Sequence, residues 1–325
     1  MKEIRITDIR GVRIGHAQDM EGGTGCTAVI CEDGAVAGVD VRGGGPASRE
    51  TELLRPEKTV QKIHCVMLSG GSAYGLEAGD GAMRYLEEKG IGLDVGAGIV
   101  PLVCGASLFD LVVGDPKCRP DKEMGHAACI ASEGNTPEGG MPKTGCVGAG
   151  TGATVGKFLG TERMMKSGPG IYAAQIGRVQ CAAVVAVNAA GDVIDYDSHK
   201  IVAGILSEDK TELADTEKIM YSEIEKNRDV FKGNTTLGCV ITNAALTKDQ
   251  AYKLAQVSHN GYVKTINPVH TSVDGDTIFA MSVGDEEASP DILGAMATEV
   301  MARAVNDAVY SAVSMYGLKS ARDLG

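Results

Sequence analysis

A chain of 325 residues that is 43% hydrophobic and carries a formal net charge of -12 can bury an ample core but has no cationic surface for a polyanion, which excludes nucleic acid and anionic membrane surfaces as expected partners. Aromatic residues are 4% of the chain and tryptophan is absent, so Val, Ile, Leu, Ala and Met must build the interior. The 9 cysteines are scattered without a CxxC pair and the 6 histidines lack HxH or HExxH spacing, so reduced thiols, no metal and no cofactor are expected.

The opening stretch MKEIRITDIRGVRIGHA alternates charged and aliphatic residues with no apolar run of signal-peptide type, and no later run approaches membrane-spanning length. A cytoplasmic protein is expected. Residues 26–41, CTAVICEDGAVAGVDV, read as a β-hairpin turning at Asp33-Gly34. Residues 68–90 begin as a glycine-rich turn and become helical, with Leu76, Met83 and Leu86 at roughly helical spacing. Gly79 and Gly81 weaken its first turns by about 1 kcal/mol each relative to alanine. Residues 132–157 are rich in Gly, Pro and Thr and predict a long irregular loop.

A second hairpin is expected over 181–196, CAAVVAVNAAGDVIDY. The charged segment 207–232 reads as a surface helix (Leu213, Ile219, Ile224) ending in a flexible tether. A strand (235–242), a helix (247–259), a strand (277–282) and a long helix (289–316) follow. The last has an apolar stripe of Ile292, Met296, Val300, Ala304, Ala308 and Ala312. This order predicts an α/β sandwich with helices outside a largely antiparallel core.

The glycine-rich piece VGAGTGATVGKF (147–158) fails as a phosphate loop, because Thr151 stands where GxxxxGK needs glycine and Phe158 follows Lys157. Gly148, Gly150 and Ala153 fit the looser GxGxxA pattern, but no strand precedes them, so nucleotide binding is not expected.

The stretch Gly233-Asn234-Thr235-Thr236 places hydroxyls at the entrance of a buried strand. A hydroxyl there can attack the carbonyl before it when glycine and asparagine let that peptide bend. Water then opens the resulting ester and leaves a new N-terminal residue. Its α-amine, with a pKa of about 7.7–8.0, can serve as the base for its own hydroxyl. The alternative is that both threonines are ordinary strand residues after a Gly-Asn turn. Asp274 and Asp276 flank Gly275, so both carboxylates face one side of an extended segment, or the three residues form a turn.

The stretches VRIGHA (12–17), TGCTAV (24–29), RGGGPASRET (42–51), LSGGSAYGLEA (68–78), VGAGTGATVGK (147–157), VVAVNAAGDV (184–193), GNTTL (233–237) and DGDTIFA (274–280) run in order from end to end. In them the chain resembles the self-processing amidohydrolases that include DmpA, the β-peptidyl aminopeptidases and the nylon-oligomer hydrolase. The resemblance implies a layered αββα sandwich of DmpA-like, N-terminal-nucleophile type, with residues 1–325 as a single domain. It implies self-cleavage between Asn234 and Thr235 into fragments 1–234 and 235–325, with Thr235 as nucleophile. Lys157 would lie beside it, Asn188 would donate into the oxyanion hole, and Asp274 and Asp276 would orient the hydroxyl and amine. Gly70, Gly71, Ser72 and Tyr74 would line the acyl pocket. The threonine is similar to that of the nylon-oligomer branch. The expected substrate is a short peptide or unusual amide, and cut protomers are expected to form a homo-oligomer. An acyl transferase of the ornithine acetyltransferase kind and an uncleaved, non-enzymatic binding protein on the same scaffold are the alternatives.

Overall fold

The computed structural model describes residues 1–224 and 233–324. Its principal strands are β1 (Arg13–Asp19), β2 (Thr24–Val41), β3 (Ile63–Ser69), β4 (Val103–Ser107), β5 (Pro169–Ile176), β6 (Val179–Ala186), β7 (Leu237–Ala244) and β8 (Thr277–Glu286). The α-helices are α1 (Ala78–Glu88), α2 (Lys122–Ala131), α3 (Thr216–Ser222), α4 (Lys248–Thr265) and α5 (Pro290–Ser311).

One long strand, β2, belongs to both halves of the sheet. Its beginning pairs with β1 and β3, and its end, Val36–Val41, pairs with β8. The expected 26–41 hairpin is therefore corrected. Gly34, at φ +75°, bends the strand where its register shifts between Ile30 and Ala35. The positive φ that would suit a tight turn serves a bend equally well.

The 181–196 hairpin is also corrected. β6 forms its hairpin with the preceding β5, and Asp192–Ile194 instead joins a small separate sheet with Ile201–Ala203 and Ile266–Asn267. The NAAGD segment thus carries the chain out of the large sheet.

The strands of the second half run in the order β5, β6, β7, β8 and the end of β2. All pairs are antiparallel except β7 with β8, and in the first half β3 with β4 is likewise parallel. Along β6, Cys181, Ala183 and Val185 face α4 and α5, while Ala182, Val184 and Ala186 face the other sheet. Both faces of such a strand are dry, so its sequence reads as an apolar run with no polar alternation.

Between the sheets, Val29, Val66 and Leu68 meet Val184, Cys239 and Phe279. On the outside of the first half, Ala82, Leu86 and Ala128 of α1 and α2 cover Ala28, Ile30 and Met67. On the outside of the second, Leu254, Val300 and Ala304 cover Val240 and Ala280. The layers therefore run helices, sheet, sheet, helices, as the resemblance implies.

Smaller departures have local causes. The glycine-bearing start of the 68–90 segment is a 3-10 helix, Ser72–Glu77, that precedes α1. The long final helix begins at Pro290 and ends at Ser311, short of 316. Its stripe drifts, because residues four apart do not stay on one line of a 3.6-residue helix: Ile292 is exposed and Leu293 is buried in its place. In the charged segment only α3 is regular among the described residues, and the expected tether, 225–232, lies outside them. Among the described residues no helix is long and apolar enough to cross a membrane.

Candidate active site

The parallel pairing of β7 with β8 builds the site. It aligns Leu237 with Thr277 and extends backwards through a parallel bridge between Asn234 and Asp274. The N–H of Thr277 donates to the Thr236 carbonyl at 3.1 Å, and that of Gly275 donates to the Asn234 carbonyl at 3.0 Å. The Gly-Asn-Thr-Thr and Asp-Gly-Asp segments therefore lie side by side at the same end of the sheet.

Thr235 is buried. Its hydroxyl hydrogen-bonds the Asn234 carbonyl, and its backbone N–H donates to the Asn188 carbonyl at 2.9 Å. Two glycines make room for this. A Cβ on Gly275 would stand 2.5 Å from Thr235 Oγ1, and one on Gly233, at φ +150°, would stand 2.5 Å from the Phe109 ring.

The two carboxylates are held differently. Asp276 Oδ1 accepts the Thr236 N–H at 2.7 Å, and its Oδ2 accepts the backbone N–H of His270 at 3.1 Å and the ring Nδ1 at 2.8 Å. Asp274 Oδ2 accepts the N–H and the hydroxyl of Thr271, both at 2.7 Å. Its Oδ1 is buried and has no hydrogen-bond partner among the described residues. Burial, reinforced by the Asp276 charge, raises Asp274 above the usual carboxylate range.

Lys157 is fully buried, and its Nζ donates to Asn188 Oδ1 at 2.7 Å and to the Asn188 carbonyl at 3.1 Å. Desolvation pushes the ammonium down to about 7, against the pull of Asp274, Asp110 and Asp276. Gly156, at φ +73°, makes the turn that delivers it. The Asn188 side-chain amide donates from Nδ2 to the Phe109 carbonyl at 2.9 Å, while its Oδ1 also accepts the Thr154 N–H at 3.0 Å. The Asn188 carbonyl thus joins the lysine to the backbone of Thr235.

Beside Thr235 lies a cavity of about 340 Å³ lined by Gly45, Ser72, Ser107, Phe109 and Val273 among others. Of the residues expected to line an acyl pocket, Ser72 borders it. Gly70 and Gly71 lie behind, where the Gly71 N–H donates to Asp110 Oδ1 at 2.7 Å. Tyr74 is exposed beneath the Arg119 guanidinium, 3.7 Å from its ring centroid, and does not border the cavity. A larger groove, about 890 Å³, is lined by Arg10, Lys62 and Asp285 and touches none of these side chains.

Sequence reasoning passed over two members of this cluster. Asp110 is buried, accepts the Thr24 hydroxyl at 2.7 Å, and is pushed by burial up to about 6. Its signal was an acid inside the apolar run SLFDLVV. His270 is the other, its place by Asp276 set by a local turn with no recognisable spacing.

The profile described as Peptidase family S58 matches residues 5–322. The chain belongs to peptidase family S58. An uncharacterized aminopeptidase of Mycobacterium leprae (strain TN) is 38% identical over 96% of this chain and 92% of its own length. The 6-aminohexanoate-oligomer endohydrolase of Agromyces sp. (strain KY5R) is 30% identical over 94% of this chain and 86% of its own. Among solved structures, a Burkholderia sp. beta-aminopeptidase has a TM-score of 0.69 at 18% identity and covers 98% of this chain and 92% of its own. The L-aminopeptidase D-Ala-esterase/amidase of Ochrobactrum anthropi, described as a variant of the Ntn hydrolase fold, has a TM-score of 0.70 at 17% identity, again over 98% and 92%. This S58 member has that fold, and it is a hydrolase of the class that acts on peptide and amide bonds.

Proposed function

We propose that the protein cuts its own Asn234–Thr235 bond and then hydrolyses short peptides or linear amides through an acyl-enzyme on Thr235. The observation that carries this reading is the Thr235 hydroxyl lying against the Asn234 carbonyl while that carbonyl accepts the Gly275 N–H. In the first step Oγ1 adds to the Asn234 carbonyl carbon, and the Gly275 N–H stabilises the oxygen as it becomes negative. The C–N bond then breaks, the ester forms and the amine is freed. Water hydrolyses the ester and leaves residues 1–234 ending in a carboxylate and 235–325 beginning with an amine.

The uncut chain has no α-amine at Thr235, so another base must take the hydroxyl proton in that first step. Lys157, pushed down to about 7, is partly neutral near neutral pH and shares the Asn188 carbonyl with the Thr235 N–H, which suits it to the task. After cleavage the amine takes over as base. Asp274, whose Oδ1 has no hydrogen-bond partner among the described residues, is suited to hold the new ammonium, and Asn188 and Lys157 to steady the substrate oxyanion. The substrate's acyl part occupies the cavity bordered by Ser72, Phe109 and Val273. The relatives named as aminopeptidase and as oligomer endohydrolase support a linear amide as the bond attacked.

The working form is a cytoplasmic homo-oligomer of cut protomers. Intact-mass measurement of matured protein tests the reading. Two polypeptides separating at Asn234/Thr235 are expected from the wild type, and a single chain from Thr235→Ala. A wild type that stays uncut refutes it.

A further inference from the structure

Against the second oxygen of Asp276 lies a half-buried histidine that the steps above do not use. His270 sits in the left-handed region at φ +57°, a conformation that for a non-glycine residue persists when its surroundings hold it. Here the holding contacts are its own backbone N–H and ring Nδ1, which both reach Asp276 Oδ2, at 3.1 and 2.8 Å. With Thr236 N–H on Oδ1, the hydrogen bonds this carboxylate accepts among the described residues come from His270 and Thr236. A carboxylate is an acceptor only, so the ring must carry its hydrogen on Nδ1.

The Nε2 edge of the ring is enclosed by protein. His270 Nε2, His259 Nδ1 and the Tyr262 hydroxyl are all buried without a hydrogen-bond partner among the described residues. His259 meets His270 edge-on with ring centroids 4.8 Å apart, and its Nε2 is spent on the Asp40 carbonyl at 3.1 Å. Burial pushes His259 down to about 3, so it brings no charge against its neighbour at neutral pH.

We infer that His270 is a positioning residue: through Nδ1–H it fixes Asp276, and through Asp276 and the Thr236 N–H it fixes the nucleophile one residue away. The inference rests on the proposed role of Thr235. Loss of the Nδ1 contact leaves the carboxylate held only by the backbone N–H groups of His270 and Thr236, so it can shift and loosen the anchor at Thr236. A displacement of about 1 Å at a reacting group can cost on the order of a hundredfold in rate.

Replacement by amides separates this role from filling space. His270→Asn puts an N–H donor where Nδ1 stands, whereas His270→Gln is nearer in volume but carries its donor toward the place of Nε2. The expected result is that Asn keeps self-cleavage and kcat within about threefold of wild type. Gln should lower both by tenfold or more with KM little changed, at an unaltered melting temperature. Equal rates for the two variants, or a Gln variant as fast as wild type, overturn the inference. Nitrogen-15 NMR of histidine-labelled Thr235→Ala protein reads the contact with no catalysis at all: a ring Nδ1–H protected from solvent exchange is expected, and it should vanish in the His270→Gln version. Its absence refutes the inference, whereas an uncut wild type with the signal present refutes only the proposed function of Thr235.

Discussion

The most direct steric test of the Thr235 hydroxyl is Gly275→Ala. The added Cβ would stand 2.5 Å from Thr235 Oγ1, 3.0 Å from the Gly45 carbonyl oxygen and 3.2 Å from Pro46 Cα. An ordinary contact between such atoms is about 3.4 Å, so the hydroxyl must retreat by close to 1 Å. The N–H that Gly275 gives the Asn234 carbonyl survives in alanine, so this variant moves the proposed nucleophile and leaves the proposed oxyanion donor in place. A misplacement of that size predicts about a hundredfold slower self-cleavage, equivalent to about 2.7 kcal/mol of barrier. The Gly275 φ lies outside the positive range that alanine avoids, so lower unfolded-chain entropy offsets the clash by about 0.4–1 kcal/mol. Melting should therefore change much less than rate. The assay is a time course of intact mass on freshly folded protein, with melting temperature alongside. Self-cleavage at the wild-type rate would refute the claim that the hydroxyl works from the place it occupies here.

The other expectations follow from how each charge is held. Lys157 is pushed down to about 7 in the folded protein from 10.5, so between those values the unfolded chain binds the extra proton and stability rises with pH; Lys157→Met should flatten that rise in melts taken from pH 7 to 10. Asp276→Asn turns its NH₂ toward either the Thr236 N–H or the His270 donors and should cost about 1–3 kcal/mol by denaturant titration, because it strands a donor on that side. Asp274→Asn keeps an oxygen for Thr271 and should lose little stability while lowering hydrolysis, whereas Asp276→Asn should lower melting temperature and rate together.

The legibility of this protein in its sequence follows the range of the forces involved. The aliphatic runs of β6, β7 and β8 announce strands dry on both faces, and the spacing of Val300, Ala304 and Ala308 announces a helix against them. What a run does not state is its partner. Asp33-Gly34 permits either a reversal or a bend, and only the pairing of Val36–Val41 with β8, far along the chain, decides for the bend. The same holds at the site. Thr235 and the Asp-Gly-Asp segment become neighbours through parallel pairing, which no local pattern encodes, and whole-chain resemblance supplied it instead. Tyr74 shows the limit of transfer by motif: the glycine-rich turn carrying it does approach the site at Ser72, but the ring turns outward to Arg119.

Cleavage at Asn234–Thr235 should leave the molecule whole. The fragment 235–325 contains β7, β8, α4 and α5, and its adjacent strands lie between β6 on one side and β2 on the other, both from the fragment 1–234. Leu237, Cys239, Ile241, Phe279 and Met281 face the opposite sheet, and all are buried. At about 1.5–3 kcal/mol for each large apolar side chain, exposing that face costs about as much as the whole stability of an ordinary domain, about 5–15 kcal/mol, and the helix-side contacts carry the cost beyond it. Separation of the fragments is therefore equivalent to unfolding. Matured protein should elute from a sizing column as one species and give two bands only under denaturing conditions, with both fragments losing structure in a single transition. Recovery of a folded 1–234 fragment free of its partner under native conditions would contradict the interleaved sheet.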